Sequence, residues 1–326
     1  AAVFAPDADD PANTLAILTL DAVNVQRELA NAIKARASAF TGIPVENIAV
    51  IANHSHYGCP HGDYGSERDE EFMGLFPRLA ADAITLAYKR LQPCKLTYGM
   101  GKEDSCAYVR DYVMDNGVII TNPGVKYKDN LLRAYSEPDP DLPVLTVWDE
   151  NGERMGVIFT YALHQDTTGG KRYSGDYSSE VAKQLKDRYG HKFASIYVPG
   201  YCGDINHSDK LGGTQWNHRS IGKLLAEDIA EVVENGSTPI TDENGAQIYF
   251  SSANKHYPAT KGTYTFMVPA GTHNLTYNIP NRGTQTGAFA LDYMKFTATD
   301  ATLPNVSFAE GATISAKTSD NVAAIT

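Results

Sequence analysis

The sequence predicts an α/β fold: a largely parallel or mixed sheet flanked by helices, followed by a small antiparallel β module. Three observations predict it. Strand-like and helix-like segments alternate from Leu15 to Glu234, the rhythm of a sheet covered on both faces. An Asn151-Gly152 pair between apolar runs puts at least one hairpin inside that rhythm. Composition then changes: from 245 to 326 only 9 of 82 residues are charged, against 58 of 244 before, so the last segment is a different kind of structure. The domain reading is residues 1–238 for the α/β part and 239–326 for a sandwich-like β module, with Asn235-Gly236-Ser237-Thr238-Pro239 at the change.

Leu15–Leu20 is an apolar run of strand length. Residues 22–40 carry helical spacing through Val25, Leu29, Ile33 and Phe40, and Gly42 supplies the stop that glycine gives past a last turn. Ile48–Ala52 is a second strand. Residues 68–91 read as a helix through Phe72, Phe76, Leu79, Ala83 and Leu86, at steps of three and four. The stretch 95–164 reads as mostly β and ends in the hairpin made by Leu145–Trp148 and Met155–Leu163. Residues 177–189 are helical, Phe193–Val198 is a strand, and 218–234 is amphipathic through Ile221, Leu224, Leu225, Ile229 and Val233. Beyond 239, short alternating runs such as Thr263–Val268 and Ala288–Phe296 read as antiparallel strands.

Composition excludes several classes of function. With 42% apolar and 21% charged residues, the 326-residue chain is globular rather than disordered or fibrous. A net charge of −11, from 28 basic and 39 acidic residues, argues against a nucleic-acid binder, which needs clustered cations. No run approaches the ~18 apolar residues of a membrane span. The chain opens on Ala1 without a signal-peptide pattern, as a mature or trimmed product would. Cys59, Cys94, Cys106 and Cys202 have no zinc-finger spacing; two disulfides and four thiols remain equally open.

Chemistry concentrates in three segments, each directly after an apolar strand: Asn53-His54-Ser55-His56 onward, His164-Gln165-Asp166, and Gly200 to His207. In an open α/β sheet ligands bind beyond the carboxyl ends of strands, so the three would meet along one rim. Imidazoles and carboxylates converging there make a divalent-metal site, and zinc suits that donor set. A lone histidine at a strand end is ordinarily a hydrogen-bonded structural residue; three segments in the same topological position tip the balance toward a site. If strand geometry continued past Ala52, His54 and His56 would face opposite sides, one toward the metal and the other toward substrate or the core. Asp166 and Asp176 are further acidic candidates, although Ser174 or Asp176 would also serve to cap the following helix. His191, His218, His256 and His273 read as surface or packing residues.

NHSHYGCP, ALHQDTTGG with YSGDYSSEVAKQL, PGYCGDINH and AYVRDYVMDNGVIITNPG occur in the order of the boxes of the neutral/alkaline (non-lysosomal) ceramidase superfamily, which the chain resembles over about residues 12–234. The resemblance implies an α/β fold with a separate β domain and a secreted, extracellular or periplasmic zinc amidohydrolase that cleaves an N-acyl bond. It makes His54 and His164 zinc ligands for one ion per chain, and His56 a substrate or proton-transfer residue beside it. Arg110 becomes the arginine that approaches the site. The family's serine in the Gly-Asp box falls at Asn206, so His207 is expected to contribute as a catalytic residue, and with the family's Glu and Tyr ligands not found, Asp204 is expected to complete the zinc shell, with Asp166 and His207 as alternatives. The family's strand before residue 12 is expected to be missing here.

The expected function is a zinc-dependent amide hydrolase acting on a small-molecule or lipid amide. Its rivals are a non-catalytic extracellular binding or assembly protein on the same scaffold with a degenerate metal site, and a metal-dependent esterase or phosphoesterase. No nucleic acid is expected as a partner; peripheral membrane or glycan contact and a homo-oligomer stay open.

Overall fold

The computed structural model describes residues 1–58 and 68–241 and the backbone of 249–250. Its strands are β1 (Ala2–Phe4), β2 (Leu15–Leu20), β3 (Ile48–Ala52), β4 (Cys94–Lys102), β5 (Tyr108–Val109), β6 (Asp111–Met114), β7 (Ile119–Thr121), β8 (Leu131–Ala134), β9 (Asp141–Asp149), β10 (Arg154–Tyr161), β11 (Ala194–Pro199), β12 (Ile205–Asn206), β13 (Ser237–Pro239) and β14 (Tyr249–Phe250). The helices are α1 (Arg27–Thr41), α2 (Glu70–Tyr88), α3 (Asp176–Tyr189) and α4 (His218–Glu231).

The α/β fold class holds, with the sheet mixed rather than largely parallel. Among the described residues, β1-β2-β3 form one sheet and β11-β10-β9-β4-β13, with β14 also on β4, form another. Among the described strands only β2–β3 and β10–β11 pair in parallel. The hairpin is one reason: β9 and β10 are joined through the Asn151-Gly152 turn, with Gly152 at φ 84°, and a tight turn can join only antiparallel strands; β4 also runs antiparallel to β9, β13 and β14. The three histidine segments therefore do not leave one common sheet. His54 and His56 follow β3 of the first sheet, whereas His164 follows β10 of the second.

Each sheet has its own core. Leu18 and Leu20 of β2 and Ile48 of β3 pack on Ile33 and Ala37 of α1 and on Ala80, Ala81 and Ile84 of α2. Val157, Phe159 and Tyr161 of β10 pack with Val181 and Leu185 of α3 and with Ile221, Leu225 and Ile229 of α4. Burial of these apolar faces, at about 25 cal/mol per Å², is the main force holding each helix pair to its sheet.

Several expected boundaries move. The first helix begins at Arg27, not 22, because the carbonyls of Ala22 and Val23 are taken by the backbone N–H and ring Nδ1 of His54. It stops as expected at Gly42, which has φ 77° and whose N–H donates to the Ser38 carbonyl. Phe40 is 58% exposed rather than on the packed face, and the Arg36 guanidinium lies over its ring. In α2 the packed face is Met73, Ala80, Ala81 and Ile84, about one residue (~100°) round from the expected one, so Leu79 and Leu86 are exposed. The small Ala80 and Ala81 let the helix approach closely where the leucines would hold it off. A strand does precede residue 12: β1, antiparallel to β2. Cys94, Cys106 and Cys202 are free thiols. Cys59 and most of the 239–326 module lie outside the described residues, apart from β13, Ile240 and β14, whose backbones join β4.

Candidate metal centre

The parallel pairing of β2 and β3 runs out at Leu20 and Ala52, and the chain continues it irregularly: Asn53 N–H donates to Leu20 O and His54 N–H to Ala22 O. At His54 the backbone turns left-handed, φ 70°, a conformation costly for a residue with a Cβ and concentrated at functional sites. That turn breaks strand alternation. His54 and His56 consequently point the same way, Nε2 to Nε2 3.4 Å, instead of to opposite sides. Gly58 closes the loop against the β2 end; a Cβ there would meet the Asp21 carbonyl oxygen at 2.0 Å.

His164 arrives from the other sheet, and its Nε2 stands 3.0 Å from that of His54. The donor nitrogens of His54, His56 and His164 all lie within 4.8 Å of one another, across 110 residues of sequence. Donors sharing one ion at ~2.1 Å can stand at most ~4.2 Å apart, which the His54–His164 pair satisfies. His164 is buried, His54 half-buried and His56 exposed, so the group opens toward solvent on the His56 side.

The outer nitrogens decide what the inner ones can do. His54 Nδ1 is 2.7 Å from Val23 O, and His164 Nδ1 is 2.8 Å from Cys202 O. A carbonyl only accepts, so both Nδ1 atoms carry the proton. In the neutral rings both Nε2 atoms then present lone pairs to each other at 3.0 Å. Such a contact requires a positive charge between them, a proton or a metal ion. A proton on His54 is disfavoured near neutrality, because burial, and next the field of His164, push it down to about 4. Burial and His164 lower His56 as well. Neutral imidazoles, each fixed by a carbonyl on the far nitrogen, are the usual form of histidine ligands.

Around this group stand the other candidates. Asp166 Oδ1 and His207 Nδ1 face each other at 3.3 Å, both buried, with neither in an aligned hydrogen bond. Burial alone would raise the Asp166 carboxyl, but His207, His164 and His56 outweigh it and hold it below the usual range. Arg110 is half-buried between β5 and β6, its N–H on Asp204 O at 2.7 Å, and its charge helps to lower His56. The Asp204 side chain is exposed and stands outside the three-histidine group; its backbone, not its carboxylate, is what the structure uses. Asn206 donates to Asn122 Oδ1 and accepts from the His207 N–H, a structural role. Asp176 is not an N-cap: it is wholly buried at the first position of α3, φ 55°, and takes the N–H groups of Thr167 and Thr168 in the loop after His164. Ser174 instead accepts the Asp176 N–H.

Sequence reasoning missed the residues that bind the two sheets together. Gln165 is fully buried. Its Nε2 donates to Asn53 O at 2.8 Å, its Oε1 accepts from Ser178 Oγ at 3.0 Å, and its carbonyl accepts the His56 N–H at 3.0 Å. Asn53 in turn donates to Asp21 Oδ1 at 2.6 Å and accepts the Ser55 N–H at 3.0 Å. The only signal for this clasp was its position: each amide sits next to a histidine, in a stretch where an apolar strand has just ended.

No family model matches the sequence, and no curated protein matches it. Solved structures do. A ceramidase complexed with C2 superposes with a TM-score of 0.57 at 19% identity, covering 71% of this chain and 38% of that one. Neutral ceramidase from Pseudomonas aeruginosa gives a TM-score of 0.53 at 18% identity, covering 70% and 38%. The chain has a neutral ceramidase-like α/β fold, and it spans less than two-fifths of the length of those chains.

Proposed function

We propose that this chain is a metal-dependent hydrolase of an amide (N-acyl) bond, holding one zinc ion per chain with His54, His56 and His164. The observation that carries the reading is the pair of lone pairs, His54 Nε2 and His164 Nε2, held 3.0 Å apart by carbonyls behind each ring. Three imidazoles form a donor set that zinc prefers, so the residues fit the ion. Such a cation supplies Lewis acidity toward a carbonyl oxygen and brings the ionisation of water near neutrality.

The remaining work falls to this chain's own groups. His207, backed by Asp166 at Nδ1, keeps its other ring nitrogen for a proton in transit to the leaving amine. The carboxylate form of Asp166 is favoured by the surrounding histidines, which suits it to orient His207 and to stabilise its charged form. Arg110 places a fixed positive charge close enough to act on His56, and the same charge favours an oxyanion there. This assignment moves His56 from proton carrier to third donor and leaves Asp204 with no chemical part. The likeness to ceramidase structures supports an N-acyl substrate, small or lipid, and the same likeness supports a secreted or periplasmic setting; no helix among the described residues is long and apolar enough to cross a membrane.

The test is metal content after loading with zinc and gel filtration, followed by a panel of N-acyl amides, esters and phosphoesters. We expect about one zinc per chain, its loss in a His54→Ala/His164→Ala double variant, and turnover of amides. Turnover of esters or phosphoesters alone would change the reaction class. A folded chain that takes up no metal would replace the enzyme with a binding scaffold. One observation favours that second reading: Asn206, where a hydroxyl stands in the box it resembles, is committed to Asn122 and to the His207 backbone.

A further inference from the structure

The second sheet buries one face under α3 and α4, and its other face carries a hollow. Val147, Gly156 and Ala194 stand opposite one another on β9, β10 and β11, and Ile158 and Ile196 pair in the next row. Side chains alternate along a strand, so both rows face away from the core that holds Val157, Phe159 and Tyr161. In the first row glycine and alanine put almost no side chain beside the valine, and the space forms part of a cavity of about 210 Å³. Its opposite wall includes Phe4 of β1 and Leu91, just past the end of α2.

Polar groups are few and accounted for. Arg90 is the one charged side chain that lines the cavity, and no carboxylate lines it. Arg90 is exposed, and its guanidinium makes no ion pair or hydrogen bond among the described residues. Gln92, also exposed, donates to Met155 Sδ at 3.4 Å. Cys94 is buried, and burial pushes its thiol up to about 11, so it stays neutral. The cavity is therefore an apolar space with a single unpaired cation at its mouth.

We propose that this cavity binds an alkyl monocarboxylate, its tail along Val147, Ile158 and Ile196 and its carboxylate on Arg90. An apolar cavity of ~150 Å³ stays dry and admits an apolar guest, and this one is larger. A guanidinium offers a planar fork that matches a carboxylate with two parallel hydrogen bonds. A stretch of polypeptide fits less well, since it would bring backbone N–H and C=O groups against walls with nothing to bond them. The cavity lies at the start of β10, whereas His164 follows that strand's end, so the proposal stands apart from the metal reading and is tested on metal-free protein.

The experiment is isothermal titration of the full chain with octanoate, hexanoate, acetate, 1-octanol and octyltrimethylammonium. We expect one octanoate per chain, and hexanoate about fifteenfold weaker, from roughly fourfold per methylene. Octanol should bind about tenfold more weakly than octanoate, because it lacks the charged partner for Arg90. Acetate and the octyl cation should show no saturable binding. Arg90→Gln should weaken octanoate about tenfold and leave octanol unchanged. Ala194→Leu, at an exposed position on the lining, should fill the hollow and abolish both. Unchanged circular dichroism confirms the fold of each variant, and the two variants test head and tail separately. The proposal is overturned by a wild type that does not bind octanoate, or by several octanoates adsorbing per chain. Acetate or the octyl cation binding as tightly as octanoate overturns it too, as does octanoate binding that Arg90→Gln leaves unchanged or that folded Ala194→Leu retains.

Discussion

Replacing Gln165 by leucine tests the idea that a buried amide clasp, not the strands themselves, brings the histidines together. The side chain is wholly enclosed and makes two hydrogen bonds, to Asn53 O at 2.8 Å and from Ser178 Oγ at 3.0 Å. Leucine fills a similar volume and can make neither. It strands a buried carbonyl, and it takes from Ser178 one acceptor while leaving Gly175 O, at 2.8 Å, as the other. The stranded carbonyl costs roughly 1–3 kcal/mol and the lost bond from Ser178 about 1 more, so the expected loss is about 2–4 kcal/mol. For a folded unit of this size, ~1 kcal/mol moves Tm by about 2–4 °C, which puts the shift at about 5–15 °C. Thermal unfolding followed by circular dichroism without metal measures the clasp alone, and zinc titration of the folded variant measures its effect on the site. Outer groups that orient ligands are typically worth about 10–100-fold in metal affinity. Gln165→Glu separates contact from packing: it keeps the acceptor for Ser178 but sets a carboxylate oxygen against the Asn53 carbonyl, and should be at least as damaging near neutral pH. A Tm within about 2 °C of the wild type for Gln165→Leu would refute the reasoning.

Three further outcomes follow from the same contacts. Adding zinc at ~100 times its Kd should stabilise the folded chain by about 2.7 kcal/mol, a chelator should reverse this in the wild type, and His54→Ala should show neither response in a melting assay. Gly58→Ala should destabilise by at least ~2 kcal/mol, because its Cβ would lie 2.0 Å from the Asp21 carbonyl oxygen and the backbone must shift; denaturant titration checks it. Asp228, on α4, is pushed up to about 7 by burial and then by the Glu103 carboxylate, so the folded chain keeps a proton that the unfolded chain gives up. Wild-type stability should therefore fall as pH rises from about 4 to about 7, and Asp228→Asn should remove that slope; with screening at a half-buried site the gain above neutral pH should be about 2 kcal/mol, read from urea midpoints across pH.

Periodicity made the larger elements legible. The strand Leu15–Leu20, the helix stop at Gly42, the Asn151-Gly152 hairpin and the packed face of the fourth helix all appear where local pattern puts them. These depend on neighbours a few residues away: apolar side chains recurring on one face, a glycine at positive φ, a two-residue turn. Pairing between elements was less legible. Alternating strands and helices allow a parallel sheet; the hairpin makes β9 and β10 antiparallel, and β4 pairs antiparallel with β9, β13 and β14 across long connections that leave no local signal. Which side chains of α2 would be buried was also decided from outside the helix, by how closely Ala80 and Ala81 let it approach its sheet.

At the site the division is sharper. Sequence alone determined that histidines follow three strands, and that an ion shared by two of them was the chemistry to look for. It could not determine that His54 and His56 point the same way, because strand alternation says the opposite and the left-handed turn at His54 is held by bonds to Ala22 and Val23 in another segment. Nor could it show that His54 and His164 meet from different sheets, or that Asp204 stays outside while Asp166 joins His207. Those placements depend on Gln165, Asn53 and Ser178 bonding across more than a hundred residues of chain. A hydrogen bond is selective in direction and distance but leaves no periodic trace in sequence, so folding had to bring its partners together before the site could be seen.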